Sequence, residues 1–258
     1  MSVRIHPTAL VSADAQIGEN VEIGAFAIIG PECVIGDGCV IAPRATLEKL
    51  ATLAANVKVG SGSIIGGDPQ DLKFHGERTF VEIGEGSVIR EFATINRGTA
   101  QAERTVVGRG CLIMSYVHLA HDCMVGDNVI ISNGSQVAGH VIMEDRVTIS
   151  GLVTIHQFVK LGAHSFVGGS SKVTQDVPPY LKAVGNPVKL YGLNSVGLTR
   201  SNFDPAVIRE LKRAYRLFFR SDLIVSRAIE RAREELHPYP EVEHFLSFVT
   251  KSERGLAI

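Results

Sequence analysis

Large aliphatic residues recur at every sixth position of this chain. Stepping by six from Ile5 gives Val11, Ile17, Ile23, Ile29, Ile35, Ile41, Leu47, Leu53, Val59 and Ile65. The series pauses over 67–80 (GDPQDLKFHGERTF), resumes at Ile83, Ile89 and Ile95, and pauses again over 98–105. It then runs unbroken from Val107 to Val173. Of the 26 positions, all but Met143 are Ile, Val or Leu. The fourth residue after each is Ala, Val, Ser, Thr or Cys, except Pro69 in the first pause. Eleven hexads carry Gly directly after the aliphatic residue, as in IGEN and VGDN.

A period of six matches neither the helical 3.6 nor a sustained alternation of two. It suits a short β-segment followed by a bend. Three segments close a triangular coil of about 18 residues, and coils stack at the strand spacing of about 4.8 Å. The aliphatic residue fills the interior and the small residue sits where the chain turns. Glycine is expected to relieve backbone strain beside the corner. The fold class this predicts is a left-handed parallel β-helix of hexapeptide repeats over residues 1–190, with loop insertions at about 67–80 and 98–105.

The period changes near the end. DVPPY and GNP interrupt the hexads, and from Asp204 a helical stripe appears, with Asp204 as N-cap and Pro205 as first helical residue. Ile208, Leu211, Tyr215 and Phe218 form its apolar side; Arg209, Lys212, Arg213, Arg216 and Arg220 form a basic side. Further helices are expected over 223–236 and 241–251. Residues 191–258 are thus read as a C-terminal α-helical domain. The basic stripe is open to two readings, a solvated face or a dock for an acidic partner.

Composition narrows this picture. Net charge is −1, which gives no general attraction to nucleic acid or membrane. The chain has 26 glycines, no Trp and 6% aromatic residues, so its core is aliphatic. No stretch reaches the roughly 18 apolar residues of a membrane span, and the start has no apolar signal core, so a cytoplasmic location is expected. Cys33, Cys39, Cys111 and Cys123 all fall on the small-residue position and are read as inward hydrophobes, without disulfide or metal.

Chemistry must come from residues the repeat does not need, and histidine is one. Between 118 and 164 stand His118, His121, His140, His156 and His164. The coil length places His121, Gly139 and Gln157 in one column, with Asp122, His140 and Phe158 in the next. A neutral imidazole at His121 can take a proton from an attacking hydroxyl, Asp122 can fix its tautomer, and the Gly139 N–H can stabilise an oxyanion. That set suits acyl transfer without a serine or cysteine nucleophile. The histidine spacing does not match the zinc pattern of the γ-class carbonic anhydrases, so no metal is expected.

The strings DLKFHGERT, TINRGT, HLAHDCMVG, VAGHV, IHQFVKLGAH, QDVPPY, GNP and ERGL, spread over the whole chain, resemble the UDP-N-acetylglucosamine O-acyltransferases of lipid A biosynthesis. The resemblance implies transfer of an (R)-3-hydroxyacyl chain from acyl carrier protein to the 3-hydroxyl of UDP-GlcNAc by a homotrimer. It implies no cofactor beyond the phosphopantetheine that carries the acyl group. It puts the base on His121, its orienting carboxylate on Asp122 and the oxyanion donor on Gly139. Sugar-nucleotide contacts are implied at Asp71, Lys73, His118, His140, His156, Gln157, Asn194 and Arg200. Gly169 is implied to leave room in the acyl groove, and the basic stripe to dock the carrier protein. The chain departs from the family pattern at Asn96, where TIHRGT is common, and at Val196 and Ser201, near the nucleotide contacts. Relatives that acylate a 3-amino sugar form one alternative. Others are a CoA-dependent sugar acetyltransferase and the later N-acyltransferase, whose extra N-terminal domain has no room before Ile5. A non-catalytic solenoid would not need the histidines.

Overall fold

In the computed structural model, which describes residues 2–258, the hexads form a parallel β-helix of three faces. Most strands are two residues long and pair in register with the strand one coil away. On the first face Arg4–Ile5 pairs with Glu22–Ile23; on the second Leu10–Val11 pairs with Ile28–Ile29; on the third Gln16–Ile17 pairs with Val34–Ile35. The first face ends with Leu181–Val184 and then Lys189–Leu193, an antiparallel addition. That last strand crosses the 190/191 boundary read from the sequence, so the sheet extends to Leu193. The aliphatic positions from Ile23 to Val173 line one continuous buried core.

The four cysteines are free and buried at small-residue positions. Each Sγ donates to a backbone carbonyl, and burial pushes the Cys123 thiol up to about 12, which leaves it inert.

The glycines do a different job from the one expected of them. The left-handed backbone lies two residues further on, at corners held by residues such as Asn20, Phe26 and Asn56 as well as by Gly38 and Gly62. The glycine position is instead where neighbouring coils come closest. A Cβ at Gly36 would lie 2.8 Å from the Ala54 carbonyl carbon, and one at Gly60 would lie 2.7 Å from that of Arg90. Close backbone approach, not torsion, selects glycine there, except at Gly66, whose φ of 86° also demands it.

Four helices follow: α1 (Ser195–Arg200), α2 (Pro205–Phe219), α3 (Val225–Glu235) and α4 (Pro240–Lys251). Asp204 caps α2 as expected, its side chain accepting from Ala206 N. The short helix α1 was not anticipated. Helix α4 is tied to the β-helix through His244, which bonds to Tyr180 Oη at 2.8 Å and lies 3.0 Å from Glu144. After α4 the chain returns to the solenoid: Ser252 Oγ donates to Asp176, and Asp176 exchanges backbone bonds with Gly255 and Ala257.

Candidate active site

The strands His118–Leu119, Gln136–Val137 and Thr154–Ile155 stack in register on the second face. The corner residues that follow them therefore form columns, as the 18-residue spacing predicts. His121 lies directly over Gly139: a Cβ on residue 139 would sit 2.6 Å from His121 Cε1 and 2.8 Å from Nε2. In the next column His140 stacks on Phe158, with ring centroids 4.5 Å apart, and meets the edge of His121.

Asp122 is the centre of the site. Its side chain is wholly buried and His121 Nδ1 lies 2.9 Å from Oδ2. Thr99 donates to it twice, from its N–H to Oδ1 at 2.8 Å and from its hydroxyl to Oδ2 at 2.7 Å. Burial alone would raise this carboxyl, but the bonds from His121 and Thr99, with the nearby His140, outweigh it and hold the group below the usual carboxylate range. An ionised carboxylate can only accept, so His121 carries its proton on Nδ1 when neutral. The Nε2 lone pair is then free for a substrate.

Gly139 supplies the complementary group. At the same hexad position on the third-face corners, the N–H groups of Glu19, Arg109 and Asp127 are taken by carboxylates one coil away, from Asp37, Asp127 and Asp145. At the corner above Gly139 stands Gln157 instead, and the Gly139 N–H donates to no group among the described residues. A proton acceptor and a free backbone donor are thus side by side, with Gly139 buried and His121 half-buried.

Around them, His118 Nδ1 bonds to Thr94 Oγ1 at 2.7 Å. Its pKa is depressed by burial and then by His121; that of His140 is depressed chiefly by burial, partly offset by Asp122 and Asp71. Asp71 is one of the acidic groups that act on His140. It belongs to the first insertion, where it also caps Lys73 N. The base of that insertion is held by residues the sequence reading left unexplained. Arg97, fully buried, pairs with Asp68, donates to Gly66 O and faces the Phe74 ring. Asn96 Nδ2 donates to Asp68 O at 2.6 Å, so the asparagine in TINRGT has a structural use.

Sequence spacing predicts no metal, yet one ligand atom from each of His121, Asp122 and His140 lies within 4.8 Å of the others. The His121–Asp122 contact of 2.9 Å is a hydrogen-bond length. Two ligands on a tetrahedral zinc are roughly 3.3 Å apart. With Thr99 already on both Asp122 oxygens, the cluster as it stands is a hydrogen-bonded dyad.

Comparison with known proteins gives the family and the fold. Residues 176–257 match the model described as UDP N-acetylglucosamine O-acyltransferase, domain 2, and 14–49 and 104–139 match six-repeat bacterial transferase hexapeptides. The acyl-[acyl-carrier-protein]–UDP-N-acetylglucosamine O-acyltransferase of Myxococcus xanthus is 46% identical over 98% of both chains. The protein of the same name from Syntrophobacter fumaroxidans is 44% identical over 98% of this chain and 99% of its own. This chain belongs to the UDP-N-acetylglucosamine O-acyltransferase family. Crystal structures of family members from Bacteroides fragilis and Acinetobacter baumannii superimpose with TM-scores of 0.96 at 38% identity, covering 98% of this chain and 100% and 99% of theirs. The family's left-handed β-helix with C-terminal helices is the fold seen here.

Not every residue implied by that family gathers at the dyad of one chain. Asn194, Val196 and Arg200 line a cleft with Thr148, Phe166 and Lys182 at the end of the first face, whereas His121 stands at the corner of the second and third. The Asn194 side chain is already engaged, capping α1 and donating to His164 O. Gly169 is exposed at the corner between first and second faces, away from the dyad. His156 and Gln157 are exposed one coil beyond Gly139. Arg254, in the closing ERGL string, reaches His156 Nδ1 at 2.7 Å, a contact sequence spacing could not supply.

The basic stripe of α2 divides in two. Lys212, Arg216 and Arg220 line a cleft of about 590 Å³ with Tyr191 and Tyr215. Arg213 is occupied by Glu210 and the Glu235 carbonyl, and Arg209 is exposed outside the cleft.

Proposed function

We propose that this chain transfers an (R)-3-hydroxyacyl group from acyl carrier protein to the 3-hydroxyl of UDP-N-acetylglucosamine, the first step of lipid A biosynthesis. Family membership over the full length gives the reaction class. The observation that carries the residue assignment is the His121–Asp122 dyad set directly over the free N–H of Gly139.

The chemistry follows from those atoms. His121 Nε2 takes the proton of the sugar hydroxyl as its oxygen bonds to the thioester carbon. Asp122 stabilises the resulting imidazolium, and the Gly139 N–H holds the tetrahedral oxyanion. Collapse breaks the C–S bond, and the phosphopantetheine thiol leaves with the proton held by His121. No resident metal or cofactor takes part in this scheme.

Asp71, Lys73, His118, His140, His156 and Gln157 are assigned to the sugar nucleotide on the dyad side. Asn194 and Arg200 are assigned to it from another copy of the chain. Their distance around the solenoid from His121 supports a site shared between subunits of a homotrimer. An exposed Phe92–Tyr116 stack on one edge supports association too. Gly169 leaves the acyl groove open. The enzyme is placed in the cytoplasm, where carrier protein and nucleotide sugar are available; among the described residues no helix is long and apolar enough to cross a membrane.

Lys212, Arg216 and Arg220 form the carrier-protein dock, a cationic cleft suited to an acidic surface. Lys212→Glu with Arg216→Glu should raise KM for the carrier protein at low salt by about tenfold, with a smaller effect on kcat and none of this difference at high salt. Steady-state rates at two ionic strengths check it.

The reaction itself is tested with UDP-GlcNAc, its 3-amino analogue and 3-hydroxyacyl carrier proteins of several lengths. An ester-linked product from UDP-GlcNAc, formed at the same rate with EDTA present, is expected. Product from the 3-amino sugar alone would overturn the hydroxyl assignment.

A further inference from the structure

The second insertion interrupts the hexads at a place where the repeat alone would have continued. By register Thr99 should be one more small residue at a corner, four after Ile95. The chain instead leaves the coil after Asn96 and returns at Arg104, and the loop brings Thr99 onto Asp122. We propose that Thr99 is a positioning residue for acyl transfer, clamping both oxygens of Asp122 and through them fixing the imidazole of His121. The inference rests on the reading of His121 as the base.

The geometry is specific. The Thr99 N–H binds Oδ1 and its hydroxyl binds Oδ2, the oxygen that also faces His121 Nδ1. The hydroxyl proton has one place to go. Gln101 N–H donates to Thr99 Oγ1 at 3.2 Å, and the ionised Asp122 can only accept, so Thr99 must give its proton to Oδ2. Thr99 is itself held by Glu103 N–H on its carbonyl at 2.7 Å. At the far end of the insertion Thr105 Oγ1 accepts from Asp122 N at 2.9 Å. Both ends of the loop thus grip residue 122, whose backbone is left-handed with φ of 60°.

A carboxylate held by the histidine alone could turn about its side-chain torsions. It could then present either oxygen, or swing toward His140 Nε2, 3.5 Å from Oδ2. Two donors from one rigid residue remove that freedom. They also keep the negative charge that the imidazolium needs buried and hydrogen-bonded. Loss of the hydroxyl should therefore disturb the rate of the chemical step more than the binding of either substrate, because Thr99 touches neither reacting group.

The test uses the full-length protein with UDP-GlcNAc and 3-hydroxyacyl carrier protein. Thr99→Val, nearly isosteric, should lower kcat by roughly ten- to thirtyfold and move both KM values less than about twofold. Thr99→Ser, which keeps the donor, should restore most of the rate. Where valine is poorly accommodated, Thr99→Ala removes the same hydroxyl with less bulk and must show the same loss. In an Asp122→Asn background Thr99→Val should add less than about twofold, since the residue acts through that carboxylate. Wild-type kcat in Thr99→Val, equal impairment by Val and Ser, or losses that multiply with Asp122→Asn would each overturn the proposal. His121→Ala is run beside them. If it retains turnover, the base assignment itself fails; if it is inactive while Thr99→Val is normal, only the role of Thr99 fails.

Discussion

His121→Ala should lower kcat for sugar acylation by about 10³- to 10⁴-fold, the upper range for removal of a general base. That corresponds to about 4–5.5 kcal/mol of transition-state stabilisation. The fold should survive, because the side chain points away from the aliphatic interior and its partners are Asp122 and the edge of His140. KM for UDP-GlcNAc should change far less than kcat, since the imidazole is asked to act on the hydroxyl proton as the new bond forms. Asp122→Asn should fall between this variant and the unsubstituted enzyme. An amide can still sit beside Nδ1, but it cannot stabilise the imidazolium and can enforce the wrong tautomer. Thermal melting alongside the rates separates chemistry from folding.

Gly139→Ala should also be strongly damaging, less so than His121→Ala, although it adds only one methyl group. That methyl would lie 2.6 Å from His121 Cε1 and 2.8 Å from Nε2. Something has to shift. The neighbouring coil backbone is fixed by its ladder bonds, His140 N donating to His121 O and Phe158 N to Gly139 O, so the imidazole moves. A displacement of about 1 Å at a reacting group costs on the order of 100-fold in rate. The peptide N–H of residue 139 is retained, so the loss reports the position of His121 and not the absence of the oxyanion donor. The backbone of Gly139 has no left-handed torsion, so the alanine brings little strain of its own. A kcat loss of that size with an unchanged melting temperature is the expected outcome. A fully active Gly139→Ala would mean that His121 works from a different place.

These two residues were legible in the sequence because a solenoid turns sequence spacing into spatial spacing. Contacts between adjacent coils repeat every 18 residues, so the column of His121, Gly139 and Gln157 and the inward cysteines follow from counting. The start of α2 was legible too, from Asp204 and Pro205. Where the chain leaves the repeat, counting fails. Thr99, Asn96 and Arg97 act through the two insertions, whose paths are set by Asp68, Phe74 and Asp122 rather than by any period. Arg254 lies 98 positions from His156 and reaches it only because the tail after α4 folds back. Asn194 entered the site by resemblance alone, and its additional use as a helix cap depends on α1, a helix too short to show a period. The glycines were placed correctly but explained wrongly, since a pattern gives the size a position tolerates and not whether space or torsion demands it.

The most direct test of the account is a single-turnover reaction. Labelled 3-hydroxyacyl carrier protein is mixed with UDP-GlcNAc and excess enzyme, unsubstituted or His121→Ala, and the product's acyl position is read by NMR. The account predicts an ester on the sugar 3-oxygen with the unsubstituted enzyme and almost none with the variant in the same time. Equal rates from the two proteins, or a chain carried elsewhere than on that oxygen, would contradict it.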